Sequence, residues 1–164
     1  MILEMMFPVL LPLAARWAKR EAQKIQLYGR VLSEAEMKLA KNAGVAFPEQ
    51  VKVLEVPVIP GPDNILLRMA ARHANMMGPN VAGIALDHSI YIRENHMSIR
   101  LLSHELRHVH QYEQFDSVDG FLALHLKQLL EYGYWNSPFE VDARRHEVER
   151  ITSVAKNDEN FCDN

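Results

Sequence analysis

The stretch LLSHELRHVHQYEQF, Leu101–Phe115, decides most of what can be inferred about this chain. Its apolar residues Leu102, Leu106 and Val109 recur at helical spacing, which predicts a helix with a buried face. The same stretch carries three histidines and two glutamates on successive turns. Buried imidazoles need hydrogen-bond or metal partners, and the number of titratable groups in this helix therefore calls for a chemical explanation.

Two of these histidines, His104 and His108, are four residues apart, so they stand on one face of the helix, one turn apart. This spacing allows both imidazoles to bind one zinc ion at about 2.0–2.1 Å. Glu105 is rotated by about 100° around the helix axis, so it can activate a zinc-bound water without ligating the metal. The result is the His-Glu-x-x-His pattern of metallopeptidases. The competing interpretation is a pair of hydrogen-bonded core histidines.

A catalytic zinc site usually has three protein ligands and one open position. The extended pattern with Gly and His further along the same helix is excluded, because the chain has Gln111 and Gln114 at those positions. Cys162 lies in a polar tail and is a poor candidate. The segment YWNSPFEVDARRHEVE, residues 134–149, offers several donors. They are Glu140, Asp142, His146 and Glu147.

Glu140 also has a purely structural interpretation. Ser137, Pro138 and Glu140 form a capping-box pattern, with proline at the first helical position and glutamate at the third. A glutamate in this place needs no metal to explain it.

Composition limits the function classes. The chain has 164 residues, 48% hydrophobic and 24% charged, which suits one globular domain. A net charge of −3 with no basic cluster argues against nucleic-acid binding. A single cysteine excludes both a disulfide framework within the chain and a cysteine-rich metal site.

The order of predicted elements favours an α+β fold, mainly helical, in a single domain with a small sheet before the histidine helix. GIALDHSIYIR, Gly83–Arg93, is either one strand or a tight hairpin about Asp87-His88, with Ile84, Leu86, Ile90 and Ile92 on one face and Ser89 and Tyr91 on the other. The other predicted elements are helices at Pro12–Tyr28, about 34–42 after a Ser33 cap, 65–76, 98–115, 117–132 and 138–155, and a strand at Val51–Ile59.

The N-terminal run MILEMMFPVLLPLAA is apolar, but Glu4, Pro8 and Pro12 interrupt it, and the basic residues follow it rather than precede it. This layout does not fit a cleaved signal peptide, and the run is too short to span a bilayer. We therefore expect a cytoplasmic protein. The run predicts either a helix packed on the domain or a weak contact with a membrane surface.

Part of this chain resembles small bacterial gluzincin-type zinc metallopeptidase domains, which are minimal zincins. The segments that carry the resemblance are, in order, HELRHVHQYEQF, the helix FLALHLKQLLEYGY and NSPFEVDAR. The preceding GIALDHSIYIR is similar to the strand before their metal helix, so the resemblance covers about residues 81–145. It implies a zincin-like fold that hydrolyses peptide bonds in a peptide or protein substrate. It also implies Zn²⁺ bound by His104, His108 and Glu140, with Glu105 as the base. The chain departs from many gluzincins at Arg144, where they have aspartate, and the nearby acid is Asp142.

On this interpretation residues 1–50 form an N-terminal helical segment packed on the domain, residues 51–156 form the metallopeptidase domain, and residues 157–164 form a polar tail. Gln111 falls on the metal-facing side of its helix and is placed to hydrogen-bond the site, whereas His110 points to another face. Tyr134, or its neighbour Tyr132, is a candidate donor to an oxyanion, although aromatic residues at a helix end often belong to the core.

Two other functions compete with a peptidase. A deformylase-like amidase takes a cysteine ligand upstream of its histidine pair, and this chain has none there. A metal-stabilised interaction domain without activity would use residues 1–50 as a partner-binding arm. The strand at residues 84–93 would hold an extended peptide by edge pairing if one of its edges were free.

Overall fold

The computed structural model describes residues 2–73 and 81–151 and confirms a single α+β domain that is mainly helical. The six helices are α1 Ile2–Tyr28, α2 Glu34–Asn42, α3 Ile65–His73, α4 Ile99–Tyr112, α5 Val118–Asn136 and α6 Pro138–Arg145. The four strands are β1 Arg30–Val31, β2 Lys52–Val56, β3 Gly83–Leu86 and β4 Ser89–Arg93. A short 3₁₀ turn, Pro48–Gln50, precedes β2.

The sheet has the strand order β1-β2-β4-β3. Strands β2 and β4 are parallel, whereas β1 pairs with β2 and β3 pairs with β4 in antiparallel fashion. The chain reverses between β3 and β4 at Asp87-His88, where Asp87 has a φ of 58°. Of the two alternatives for this segment, the hairpin is therefore the one that forms.

The hairpin overturns the predicted division of its faces. Ile84 pairs with Tyr91 and Ala85 pairs with Ile90, and residues that pair across two strands lie on the same face. The prediction of one face for Ile84 and Ile90 is therefore wrong. Tyr91 is also buried instead of facing solvent, and its hydroxyl donates to Glu21 Oε2 of α1 at 3.1 Å.

Helices cover both faces of the sheet. Residues of α2 and α4 pack with Ile90 and Ile92 in one core cluster, and residues of α1 and α5 pack with Tyr91 in another. The histidine helix α4 therefore lies directly on the sheet, with α1 on the opposite side. Ser98 begins α4 as predicted, because its hydroxyl accepts from the Leu101 N–H at 3.1 Å.

The helix boundaries that differ most from the sequence prediction are the start of α1 and the end of α6, whereas the ends of α4 and α5 differ by three or four residues. Helix α1 begins at Ile2 instead of Pro12, although Pro8 and Pro12 remove two backbone donors from it. Burial of Leu10 and Ala14 against Leu67 of α3 helps to offset this loss. Helix α6 ends at Arg145, well before the predicted end.

Some predictions lie outside the described residues. They are the end of the helix near residue 76, the Gly78-Pro79-Asn80 break, the polar tail and Cys162. Among residues 2–73 and 81–151, no helix combines the length and the apolar character needed to cross a bilayer.

Candidate metal centre

Helix α4 holds the imidazoles of His104 and His108 side by side, as their four-residue spacing requires. Their Nε2 atoms are 3.2 Å apart, and the two rings meet edge to face with centroids 4.8 Å apart. Each residue is only 8% exposed. Two nitrogen atoms therefore converge on one point in the interior.

The first turn of α6 brings Glu140 to the same point. Glu140 Oε2 lies 3.5 Å from His104 Nε2, and Oε1 lies 3.5 Å from His108 Nε2. The amide of Gln111 on α4 positions this turn, because it donates to the Phe139 carbonyl at 3.0 Å. The third donor that the family resemblance implies thus reaches the histidine pair through contact between α4 and α6.

The capping-box interpretation of Glu140 is wrong. The Ser137 side chain forms no capping hydrogen bond at the start of α6. Glu140 Oε2 is buried and has no hydrogen-bond partner among the described residues. A buried carboxylate oxygen without a donor is costly, so its position calls for a cation or another ligand.

The three donors fit a metal ion. Donor atoms from His104, His108 and Glu140 all lie within 4.8 Å of one another. A tetrahedral zinc ion with bonds of about 2.0–2.1 Å separates its ligand atoms by about 3.3–3.4 Å. The two Nε2 atoms, 3.2 Å apart, are close to this separation, and a different oxygen of Glu140 lies 3.5 Å from each of them. Two imidazoles and one carboxylate are also a donor set found at catalytic zinc sites.

The outer nitrogen atoms of both histidines are held by acceptors. His104 Nδ1 lies 3.0 Å from Glu147 Oε1, and His108 Nδ1 lies 2.8 Å from Gln111 Oε1. Because these oxygens accept, each Nδ1 must carry the hydrogen, which directs both Nε2 lone pairs toward the centre. Gln111 therefore bonds to the site, whereas Glu147 supports a histidine instead of joining the donor group.

The other two candidate ligands on this segment are engaged elsewhere. Asp142 accepts from Arg107 Nε at 2.7 Å and from Gln111 Nε2 at 2.8 Å. His146 Nδ1 donates to the Asp142 carbonyl at 2.8 Å. Neither belongs to the group of converging donors.

Glu105 lies next to this group without joining it. Its carboxyl is buried against β3, and the fit depends on Gly83, since a Cβ added there would lie 2.6 Å from Glu105 Oε1. Burial raises the pKa of Glu105 to about 7, although the His104 charge and the backbone of Ala85 act in the opposite direction. A carboxyl group with this pKa can both accept and release a proton near neutral pH.

The charges of the donor group are coupled. Burial alone would lower the pKa of His104, but Glu140, Glu105 and Glu147 raise it to about 9. Burial lowers the pKa of His108. Burial also disfavours the Glu140 carboxylate, but the three neighbouring histidines hold its pKa at about 2. The Glu140 carboxylate thus favours a positive charge beside it, which either a protonated His104 or a bound cation can supply.

An open cavity of about 700 Å³ gives access to the donor group and to Glu105. Tyr134 lines it, because α5 is kinked at Gly133, whose φ of 72° suits glycine. Burial and the Glu140 charge raise the pKa of Tyr134, so its phenol stays protonated. Tyr132 is exposed and lies outside the cavity lining.

His125 is a cavity residue that the sequence analysis missed. It is buried on α5 and stacks on Phe121, and its Nε2 lies 3.7 Å from Glu140 Oε1. Burial lowers its pKa to about 4, so the ring is neutral. Its place on the apolar stripe with Phe121 and Leu129 was the available signal. His110, by contrast, donates to the Gly44 carbonyl at 2.7 Å, away from the cavity.

Comparisons of this chain with protein-family models, with curated proteins and with solved structures find no match.

Proposed function

We propose that this chain is a zinc-dependent hydrolase of peptide bonds of the gluzincin type, acting on a peptide or protein. The observation that carries the proposal is the convergence of His104, His108 and Glu140 at separations of 3.2–3.5 Å beside Glu105 in an open cavity. A fully closed structural site would have a fourth protein ligand. Here the described donor group contains three.

A bound zinc ion would lower the pKa of water and polarise the scissile carbonyl. Glu105 is placed to accept a proton from the attacking water at a carboxylate oxygen and to return it to the leaving amine nitrogen. The hydroxyl oxygen bonds to the acyl carbon as the C–N bond breaks. Tyr134 supplies a protonated phenol to the same cavity, which supports a role as donor to the oxyanion.

Strand β3 suits the binding of an extended substrate. It lies at the edge of the sheet and, among the described strands, pairs only with β4. Residues Gly83–Leu86 of this strand also line the cavity. A peptide added along this edge would gain main-chain hydrogen bonds and pass Glu105, whose carboxyl lies against Gly83.

The direct test is Glu105→Gln in protein purified without chelator. We expect about one zinc per chain in both proteins, and hydrolysis of a mixed peptide library by the parent only, because glutamine cannot take up the proton. Glu21→Gln is the matched control, since Glu21 is an equally buried glutamate that contacts Tyr91 and lies outside the cavity lining. Zinc content without hydrolysis by the parent would instead support a metal-stabilised interaction domain.

A further inference from the structure

Arg144 projects into the cavity beside Glu140. Its Nη2 donates to the Trp135 carbonyl, and its guanidinium carbon lies over the Trp135 ring, 5.4 Å from the centroid. Its Nη1 is buried and has no hydrogen-bond partner within the described part of the chain. The guanidinium is therefore held in place on one side and has a donor available on the other.

The nearest carboxylate does not satisfy this donor. Arg144 Nη1 is 3.9 Å from Glu140 Oε2, too far for a hydrogen bond, and both oxygens of Glu140 face the histidines. The other arginine that lines the cavity, Arg100, is mostly exposed, and its Nε contacts Glu147 Oε2 at 2.5 Å. Arg144 thus offers a partly desolvated positive charge to whatever enters the cavity.

We propose that Arg144 Nη1 binds a carboxylate of the substrate, so that the site removes the last residue of peptides with a free C-terminus. The inference rests on the proposed function and specifies its substrate class. Because this donor lies 3.9 Å from Glu140, a carboxylate bound to it lies beside the metal donors and therefore close to the scissile bond, as the terminal carboxylate of the last residue does. Water then adds across the last peptide bond, the acyl carbon gains the hydroxyl, and the amino acid leaves with the proton on its nitrogen.

The same chemistry would also recognise an acidic side chain near the scissile bond. Guanidinium hydrogen bonds to carboxylates are charge-assisted and stronger than those to neutral amides. We therefore expect a peptide acid to bind at least about tenfold more tightly than the corresponding C-terminal amide.

The binding experiment uses the zinc-loaded Glu105→Gln protein, which does not consume the ligand. Calorimetry compares an N-acetylated tripeptide acid, its C-terminal amide, and an amide with glutamate as the last residue. Arg144→Met should abolish the preference for the acid, and Arg144→Lys should restore part of it. Arg145→Met should retain it, because Arg145 is an exposed arginine on the same helix outside the cavity lining. Zinc content confirms that each variant keeps its donor group.

The outcomes separate this inference from the proposed function. Equal binding of acid and amide by the Glu105→Gln protein with Arg144 intact, or an unchanged preference when Arg144→Met is added, overturns the carboxylate site. Tight binding of the glutamate-containing amide overturns the assignment to free C-termini, because Arg144 would then bind an acidic side chain. With Glu105 intact, acid-selective binding without hydrolysis rejects the peptidase and keeps the site. Hydrolysis without any preference for the acid supports the peptidase and rejects the carboxylate site.

Discussion

Replacement of Gly83 by alanine tests whether the position of Glu105 governs hydrolysis. A Cβ at residue 83 would lie 2.6 Å from Glu105 Oε1 and 3.0 Å from its carboxyl carbon. Ordinary contact begins at about 3.4 Å, so the carboxyl must retreat by about 0.8 Å. The far end of a side chain can move this far, so we expect the fold to survive with a loss of about 1–3 kcal/mol from overpacking.

The effect on catalysis should be larger than the effect on folding. Displacement of a reacting group by about 1 Å can cost about a hundredfold in rate. We therefore expect Gly83→Ala to lower the kcat of the zinc-loaded protein by about one to two orders of magnitude. The zinc content should not change, because the atoms nearest to a Cβ at residue 83 all belong to Glu105, which is outside the donor group. Stopped assays on a substrate identified from the peptide library, together with metal analysis, measure both quantities.

The control is Gly61→Ala, because a Cβ at Gly61 meets no atom within 4 Å. It should leave kcat and zinc content unchanged. If Gly83→Ala hydrolyses substrate at the parent rate while its zinc content and folding are normal, the position of Glu105 does not limit the reaction. That result would remove the geometric argument for Glu105 as the base.

Four further predictions concern the metal centre and the hairpin. His104→Ala should release zinc and lower the melting temperature, because it removes a metal ligand from the folded state, whereas His110→Ala should keep the metal. Equal zinc content in the two variants would reject His104 as a zinc ligand. Glu140→Gln should weaken zinc binding markedly in a chelator competition while the fold survives in excess zinc, and Asp142→Asn should weaken it less; the reverse order would move the third ligand. Zinc affinity should rise with pH up to about 9, because Glu140, Glu105 and Glu147 raise the pKa of His104 to about 9 and the proton bound below that pH competes with the metal. Calorimetry in buffers of different ionisation enthalpy should detect the release of this proton at pH 7. The hydrogen bond to Asp87 raises the pKa of His88 above its ordinary value of about 6.5. Protonated His88 therefore stabilises the fold fully below that pH, and this contribution is lost as pH rises through the pKa of the folded state. Urea unfolding should show that His88→Gln lowers the free energy of unfolding more at pH 6 than at about pH 9.

The sequence alone was sufficient for features set by spacing within one element. The four-residue interval between His104 and His108 places both on one face of any helix, and the Ser98 cap fixes where that helix begins. The order of the elements and their periodicity were enough to predict an α+β domain. In each case the relevant distances follow from the helix or strand repeat, which neighbouring residues determine by themselves.

Where two elements meet, the sequence left alternatives that only packing resolved. Glu140, Asp142 and His146 all lie within seven residues, yet contact of α6 with α4 directs Glu140 to the histidines and Asp142 to Arg107. The same contact makes Glu147 the partner of His104 Nδ1. A shift of one residue along α6 would rotate each side chain by about 100°, so the choice depends on side-chain packing between helices.

The hairpin and α5 show the same dependence on tertiary contacts. Periodicity assigned Tyr91 to a polar face, but α1 covers that face and turns it into core. The apolar stripe with Phe121 and Leu129 indicates that His125 is buried, but only the packing of α5 brings its imidazole to the cavity, 3.7 Å from Glu140. Within a single helix or strand the local repeat determines which residues share a face, whereas the turn at Asp87-His88 and the packing of helices on the sheet decide how faces of different elements combine and what each face meets.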